Sequence, residues 1–274
     1  MDRKEDMNWM DLALETAMTA ARLAGGIQRD YAGKSFGVSS KKTRSDLVTE
    51  VDIKCEEAII AAIRKVFPDH DALAEEKGEY AAGGSARRWI IDPLDGTVNF
   101  AHGFPMYCSS VALEADGAVV AGAVYDPVRD EMFHASLGGG AWLNGAPIHV
   151  SAVSHLADSL LATGFPYTIR TEVLNNIPQF TAFSMKAQAI RRPGAAALDL
   201  CYVASGRLDG FWEFHLKPWD MAAGALIVRE AGGAVTGALG GGFSIYEPAV
   251  VASNGLVHGQ MIETLEQAER SANP

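Results

Sequence analysis

The run Asp92-Pro93-Leu94-Asp95-Gly96-Thr97 gathers residue types that can do chemistry at close spacing. It is preceded by an apolar stretch, Trp89 to Ile91, entered from Arg88, which reads as a short buried strand ending at Asp92. Pro93 brings no backbone N–H and blocks continuation of that strand. Asp95 follows three positions after Asp92, and Gly96-Thr97 stands where a helix can begin. Two carboxylates at a strand end, beside free N–H groups at a helix start, can hold cations and an anion side by side. Mg2+ and a phosphate suit that arrangement. The blander reading is a tight turn in which the aspartates only cap backbone N–H groups.

Three further acidic positions bear on this motif. Glu75-Glu76 ends the short apolar segment Asp71-Ala72-Leu73-Ala74. Trp219-Asp220 opens an Ala/Gly-rich helix, where an aspartate equally serves as a partner for the helix dipole. Asp52 lies in the first turn of another helix. Taken singly, each reads as structural. Other residues tempt less. His102 and His134 have no charged relay partner in the sequence, and His215, near Glu213, reads as a satisfied or exposed histidine. Arg191-Arg192 suits an anionic substrate or a helix end. Trp9, Trp142 and Trp212 read as core or interface aromatics.

The elements that must position these groups follow from periodicity. Trp9, Leu12, Ala13, Thr16, Ala17, Ala20, Leu23, Ala24 and Ile27 recur at helical spacing, which predicts an amphipathic helix over 8–30. Residues 33–45 are polar and basic and read as a mobile loop. A second helix starts near Thr49, with Asp52 completing a capping-box-like pair, and stops before Pro68. From Ala72 to Val150 short β-type runs dominate. Runs 109–115 and 118–125 flank Asp116-Gly117, a strong hairpin signal, and Asp126-Pro127 and Asn144-Gly145 mark further turns. A largely antiparallel sheet carrying helices is expected there. After Ser151 the pattern predicts strands at 160–164, 208–214 and 249–252, and helices at 169–183, 194–205, 219–231 and 256–270. The class is mixed α/β, read as two lobes, 1–150 and 151–274, packed as one unit.

Composition narrows the function. The 274 residues give ample core volume, and 48% hydrophobic with 21% charged residues describes an ordinary globular protein. A formal charge of −11 argues against a nucleic-acid partner, because phosphate backbones select basic surfaces. Three widely spaced cysteines, Cys55, Cys108 and Cys201, form no C-x-x-C pair, which argues against a zinc cage or a disulfide framework. No apolar stretch approaches the ~20 residues that span a bilayer, and the acidic N-terminus lacks a signal-peptide core. A cytoplasmic location is expected.

Together these residues resemble the inositol monophosphatase family of Mg2+-dependent, lithium-sensitive phosphatases. The resemblance runs from Asp46-Leu47-Val48-Thr49 with Asp52 to Ser253-Asn254-Gly255. It is carried by two long signatures: Trp89-Ile90-Ile91-Asp92-Pro93-Leu94-Asp95-Gly96-Thr97-Val98-Asn99-Phe100, and Trp219-Asp220-Met221-Ala222-Ala223-Gly224 leading to Glu230-Ala231-Gly232-Gly233. It implies a layered αβαβα sandwich and a homodimer. Glu75, Asp92 and the carbonyl of Leu94 would hold one Mg2+. Asp92, Asp95 and Asp220 would hold a second, and Glu75 with waters a looser third. Thr97, oriented by Asp52, would act with Glu75 to position and deprotonate the attacking water, and the N–H groups of Gly96 and Thr97 would bind phosphate oxygens. Asp95, Gly194, Ala196 and Glu213 would meet the substrate's hydroxyls, and Lys41 would approach from a loop.

The implied substrate is myo-inositol 1-phosphate, with Glu213 favouring it. Relatives acting on fructose 1,6-bisphosphate, histidinol phosphate or NADP share the metal motifs and remain alternatives. So does a regulatory binding protein that keeps the fold. Lys77 and Pro218 depart from the pattern without touching an implied ligand.

Overall fold

The computed structural model describes residues 3–40, 47–82 and 84–272. Helix α1 (Arg3–Tyr31) is followed by a two-stranded ribbon of β1 (Val38–Ser40) and β2 (Leu47–Thr49), then by α2 (Glu50–Val66). The face that α1 buries is a row of small residues, Ala13, Ala17, Ala20, Ala21 and Ala24. Small side chains let a helix approach its neighbours closely. Gly25 shows how close: a Cβ there would lie 2.3 Å from the ring of Tyr125. Leu12 and Leu23, expected in the stripe, are 43% and 49% exposed on the outer side, because close packing selects alanine over leucine. The described part of the loop expected over 33–45 also departs from a plain loop, since Val38–Ser40 pairs antiparallel with Leu47–Thr49; residues 41–45 fall outside the described residues.

The central sheet contains β3 (Asp71–Ala74), β4 (Gly78–Tyr80), β5 (Arg87–Asp95), β6 (Cys108–Ala115), β7 (Ala118–Asp126), β8 (Glu131–Ser136), β9 (Ala141–Leu143) and β10 (Ala146–Pro147). The short helix α3 (Thr97–Ala101) leaves the end of β5. Strand order is β10-β9-β8-β7-β6-β5-β3-β4, antiparallel throughout except for the parallel β3–β5 pair. Asp116-Gly117 and Asn144-Gly145 both carry positive φ at the two turn positions, as a tight hairpin turn of matching twist requires.

Alternation along these strands separates two buried faces. Trp89, Ile91, Val111, Leu113, Ala123 and Tyr125 pack under α1 and α2. Ile90, Ala112, Val124, Phe133 and Ala135 face the opposite layer.

That layer holds two helices from later in the chain. β11 (Leu160–Thr163), α4 (Ile177–Ser184), β12 (Ala189–Arg191), α5 (Ala196–Ala204), β13 (Gly210–Phe214), α6 (Pro218–Glu230), β14 (Ala234–Thr236), β15 (Ala249–Ser253) and α7 (His258–Ala272) complete the chain. Helix α6 packs on β6, β7 and β8, and pairs with α5. The second sheet, ordered β12-β11-β13-β15-β14, lies on their far side. Its Ala162, Phe211, Val250 and Ala252 face α5 and α6, while Leu161, Trp212 and Val251 join Phe183, Met261 and Leu265 from α4 and α7. The result is the expected mixed α+β sandwich of five alternating layers.

One predicted helix is corrected. Instead of running 169–183, α4 begins only at Ile177, after Asn176 with φ 69°. Pro178 explains this, because proline is tolerated in a first helical turn and disrupts an interior.

Candidate active site

Strand β5 ends in a bulge, and the bulge sets the geometry. Its register with β6 holds from Arg87↔Ala115 to Asp92↔Ser110, then shifts so that Asp95 faces Cys108. Asp92 continues the alternation of Ile90 and therefore emerges on the face toward α6. Its carboxylate Oδ1 accepts the N–H of Leu94 at 3.0 Å, closing the turn around Pro93. Gly96 follows with φ 91°, where a Cβ would lie 2.8 Å from the carbonyl of Met106, so only glycine fits.

Asp220 reaches the same place from another layer. It is the third residue of α6, and its Oδ2 accepts the N–H of Lys217 at 2.7 Å. Ser110, opposite Asp92, donates its hydroxyl to the carbonyl of Trp219 at 3.3 Å, tying the start of α6 to this corner of the sheet. Glu75 leaves the end of β3, its N–H donating to Ile91 O at 3.2 Å, directly beside Asp92. Asp95 is held from α5, with the Ala197 N–H donating to Oδ2 at 2.8 Å and that of Ala196 assisting.

Burial and mutual repulsion govern the protonation of these acids. Asp92 is 1% exposed and its pKa lies well above the ordinary carboxylate range, first through burial and then through the charges of Glu75, Asp95 and Asp220. Asp95 is pushed up to about 7 by burial and by Glu75, against the pull of the α5 N–H groups. Asp220 is likewise raised by burial and by Asp95. The four acids thus share one field. Among the described residues, however, no three His, Cys, Asp or Glu side chains are already closed to metal-ligating spacing.

The donor set fits a hard cation nonetheless. It offers carboxylates and the Leu94 carbonyl, and like charges crowded in a poorly hydrated corner are relieved by a cation. The thiol of Cys108, 3.8 Å from Asp95 Oδ2, is pushed up by burial and stays protonated, so it provides no soft thiolate.

Thr97 and Asp52, paired above only through the family resemblance, lie within hydrogen-bond distance. Thr97 Oγ1 lies 3.0 Å from Asp52 Oδ1 and 3.0 Å from Leu94 O, and its single proton serves one of them at a time. Asp52 is fully buried and closes a capping box, its Oδ2 accepting the N–H of Thr49 at 2.8 Å and that residue's hydroxyl at 2.5 Å. Burial raises its pKa despite these bonds.

Glu213 lies on β13. Its carboxylate fills the space a side chain on Gly164 would need, since a Cβ there would fall 2.0 Å from Glu213 Oε1. Burial pushes Glu213 up to about 8, with Arg192 drawing it down and Asp95 pushing it further up. Gly194 has φ 86° and lies beside the Arg192 guanidinium and Asn99. Lys41 falls outside the described residues. His215 is occupied by Leu174 O at 2.9 Å, and His134 sits within β8 opposite Ala123 and Trp142.

Several residues around the site had not been singled out. Asn99 donates to Met106 O (2.8 Å) and Pro193 O (2.9 Å), tying α3 to the segment before α5. Asp199, 1% exposed on α5, lies in the field of Glu213 and Asp95, and its Oδ1 has no hydrogen-bond partner among the described residues. Tyr167 is half exposed, yet its hydroxyl feels Glu75, Asp95, Asp220 and Asp92, which with burial raise its pKa. The Gly164-Phe165-Pro166 stretch, which breaks the chain after the strand at 160–164, was the one available signal.

Comparison with known proteins places the chain in a family. The sequence profile of the inositol monophosphatase family matches residues 9–270. An inositol-1-monophosphatase of Synechocystis sp. is 41% identical over 257 residues, covering 94% of this chain and 88% of that protein. A protein of Pseudomonas aeruginosa named Nus factor SuhB is 42% identical over 264 residues, covering 94% and 97%. The solved structure of inositol monophosphatase from Anabaena (Nostoc) sp. PCC 7120 superposes with a TM-score of 0.86 at 39% identity, covering 94% of this chain and 96% of that one. The chain belongs to the inositol monophosphatase family and is, in class, a phosphatase.

Proposed function

We propose that this phosphatase hydrolyses inositol monophosphates, myo-inositol 1-phosphate first among them, with Mg2+ as cofactor. The observation that carries the reading is the convergence of Glu75, Asp92, Asp95 and Asp220 from three separate elements, the end of β3, strand β5 and helix α6, beside the Thr97–Asp52 pair. Glu75, Asp92, Asp95, Asp220 and the carbonyl of Leu94 would hold two or three ions. Bound there, such cations supply positive charge against the phosphate and make water acidic enough to react at neutral pH.

The chain's own groups do the rest. Asp52 is fixed at Oδ2 by Thr49 and turns Oδ1 toward Thr97, so the Thr97 oxygen is oriented to accept a hydrogen bond from an approaching water. Glu75 is the acid placed to receive that water's proton. Backbone N–H groups of Gly96 and Thr97 bind phosphate oxygens. Glu213, beside Gly164, would accept hydroxyls of the polyol, with Asp95, Gly194 and Ala196 as the other contacts. Cys55, Cys108 and Cys201 are buried thiols raised by burial, which favours direct attack by water over a thiol-bound intermediate.

Phosphate release from a panel of esters at equal concentration tests the substrate. The reading expects inositol 1-phosphate to lead. A far higher rate with fructose 1,6-bisphosphate, histidinol phosphate or NADP would replace it. Inhibition by Li+, a homodimer and a cytoplasmic location belong to the same reading. No helix among the described residues is long and apolar enough to cross a membrane. A relative named Nus factor SuhB favours a second, binding role. Retention of biological function by a catalytically dead Asp95→Asn chain would reveal it.

A further inference from the structure

Behind the Asp92–Asp95 turn, on the side away from α6, lies the side chain of Gln28. It is fully buried, and it comes from the last turns of α1. Its Nε2 donates to Pro93 O at 2.8 Å and to Cys108 O at 3.3 Å. An end facing two carbonyls must be the NH2 group, so the amide orientation is fixed by its partners. Its Oε1 is buried with no hydrogen-bond partner among the described residues, and such an atom costs free energy that an apolar side chain of the same length would avoid.

Both acceptors flank the bulge. Cys108 is the residue across from Asp95, and Pro93 sits inside the turn between the two aspartates. Within a trans peptide the C=O and the next N–H point in opposite directions. Anchoring Pro93 O toward α1 therefore turns the N–H of Leu94 the other way, onto Asp92 Oδ1 at 3.0 Å. One rigid peptide plane thus links Gln28 to the carboxylate of Asp92. The second bond fixes the strand that backs Asp95. Helix α1 is held at the depth this requires by Gly25 against Tyr125, and by the Ser109 hydroxyl donating to Ala21 O at 2.8 Å.

We propose that Gln28 is a positioning residue for cation binding: from the rear of the sheet it sets the peptide plane that aims Asp92 and the strand that backs Asp95. The proposal rests on the reading that these aspartates hold Mg2+. A role confined to stability would lower the melting temperature without changing affinity for the ion. Positioning predicts a change in affinity.

The test is calorimetric titration of Mg2+ into the full chain for wild type, Gln28→Met and Gln28→Asn, with melting temperatures in chelator and kcat at saturating Mg2+. Gln28→Met removes both donors at nearly constant volume. Its Mg2+ dissociation constant should rise about tenfold, as when partners behind a metal's direct ligands are lost, while kcat at saturating Mg2+ stays within about threefold. Gln28→Asn keeps the amide but withdraws it by one methylene. It should fold even if the Met variant does not, and shift the constant in the same direction by less. Dissociation constants within twofold of wild type in every folded variant would overturn the proposal while leaving the proposed function intact. Absence of Mg2+ binding by wild type itself would overturn both.

Discussion

Ser110 lies directly across the sheet from Asp92 and donates its hydroxyl to the carbonyl of Trp219, the residue before Asp220. A single 3.3 Å bond thus links the neighbours of two acids far apart in the chain, one on a central strand and the other on a helix of the next layer. Ser110→Ala should keep the fold, because Ala differs only by the hydroxyl, and cost about 1 kcal/mol of stability. Phosphate release should fall roughly fivefold to tenfold, as Asp220 loses its fixed distance from Asp92. Steady-state kinetics beside a denaturant melt check this, and unchanged kinetics would show that α6 is placed by packing alone.

Asp95→Asn removes one of four mutually repelling charges. Activity should drop by at least about two orders of magnitude, the usual loss when a charge-stabilising group leaves a site. In chelator the variant should melt higher than wild type, since Asp95 raises the pKa of both Asp92 and Asp220. A lower melting temperature would mean that its bond to Ala197 outweighs the repulsion.

Cation binding should release protons. Asp92, Asp95 and Asp220 all sit above the ordinary carboxylate range, Asp95 at about 7, so part of the set is protonated at neutral pH. Mg2+ favours the ionised forms. Adding it to weakly buffered protein at pH 7 should acidify the solution, and a chelator should reverse this. The melting temperature should rise with Mg2+ concentration. Titration without proton release would place the ion elsewhere.

Glu213 should make stability depend on pH. Its folded pKa of about 8 lies above the ordinary value of 4.5, so the folded chain holds the proton more tightly than the unfolded chain. The resulting stabilisation is complete below the unfolded value and is lost as pH rises through about 8. Glu213→Gln in chelator should therefore raise the melting temperature clearly at pH 9 and hardly at pH 5. Equal shifts at both pH values would mean the carboxylate is well solvated.

Gly164→Ala tests the seat of that carboxylate. The added Cβ would fall 2.0 Å from Glu213 Oε1, so Glu213 must move. KM for inositol 1-phosphate should rise about tenfold, with much less effect on a small ester lacking ring hydroxyls. Equal effects on both esters would assign Gly164 to folding.

Much of this was legible along the chain because the signals are local. A proline and a glycine bracket the Asp92–Thr97 turn, Thr49 and Asp52 cap a helix three positions apart, and Asp116-Gly117 demands a hairpin. The convergence of Glu75 and Asp220 on that turn followed from a family resemblance rather than from spacing. Gln28, Ser110 and Asn99 were not legible, because their roles depend on which strand each faces across a layer. Leu12 and Leu23 fit helical spacing as well as the alanines do, and only the close approach at Gly25 puts them outside. The helix expected over 169–183 failed at Pro178, where backbone chemistry overrides apolar periodicity.

Asp92, Asp95 and Asp220 should share a cation beside the phosphate. Crystals grown with Mn2+ and phosphate, measured at the manganese absorption edge, test this most directly. Anomalous peaks should be bounded by Asp92, with Asp95 and Asp220 on one and Glu75 and the Leu94 carbonyl on another, and phosphate should lie over Gly96 and Thr97. Peaks confined to other parts of the surface, with these carboxylates bare, would contradict it.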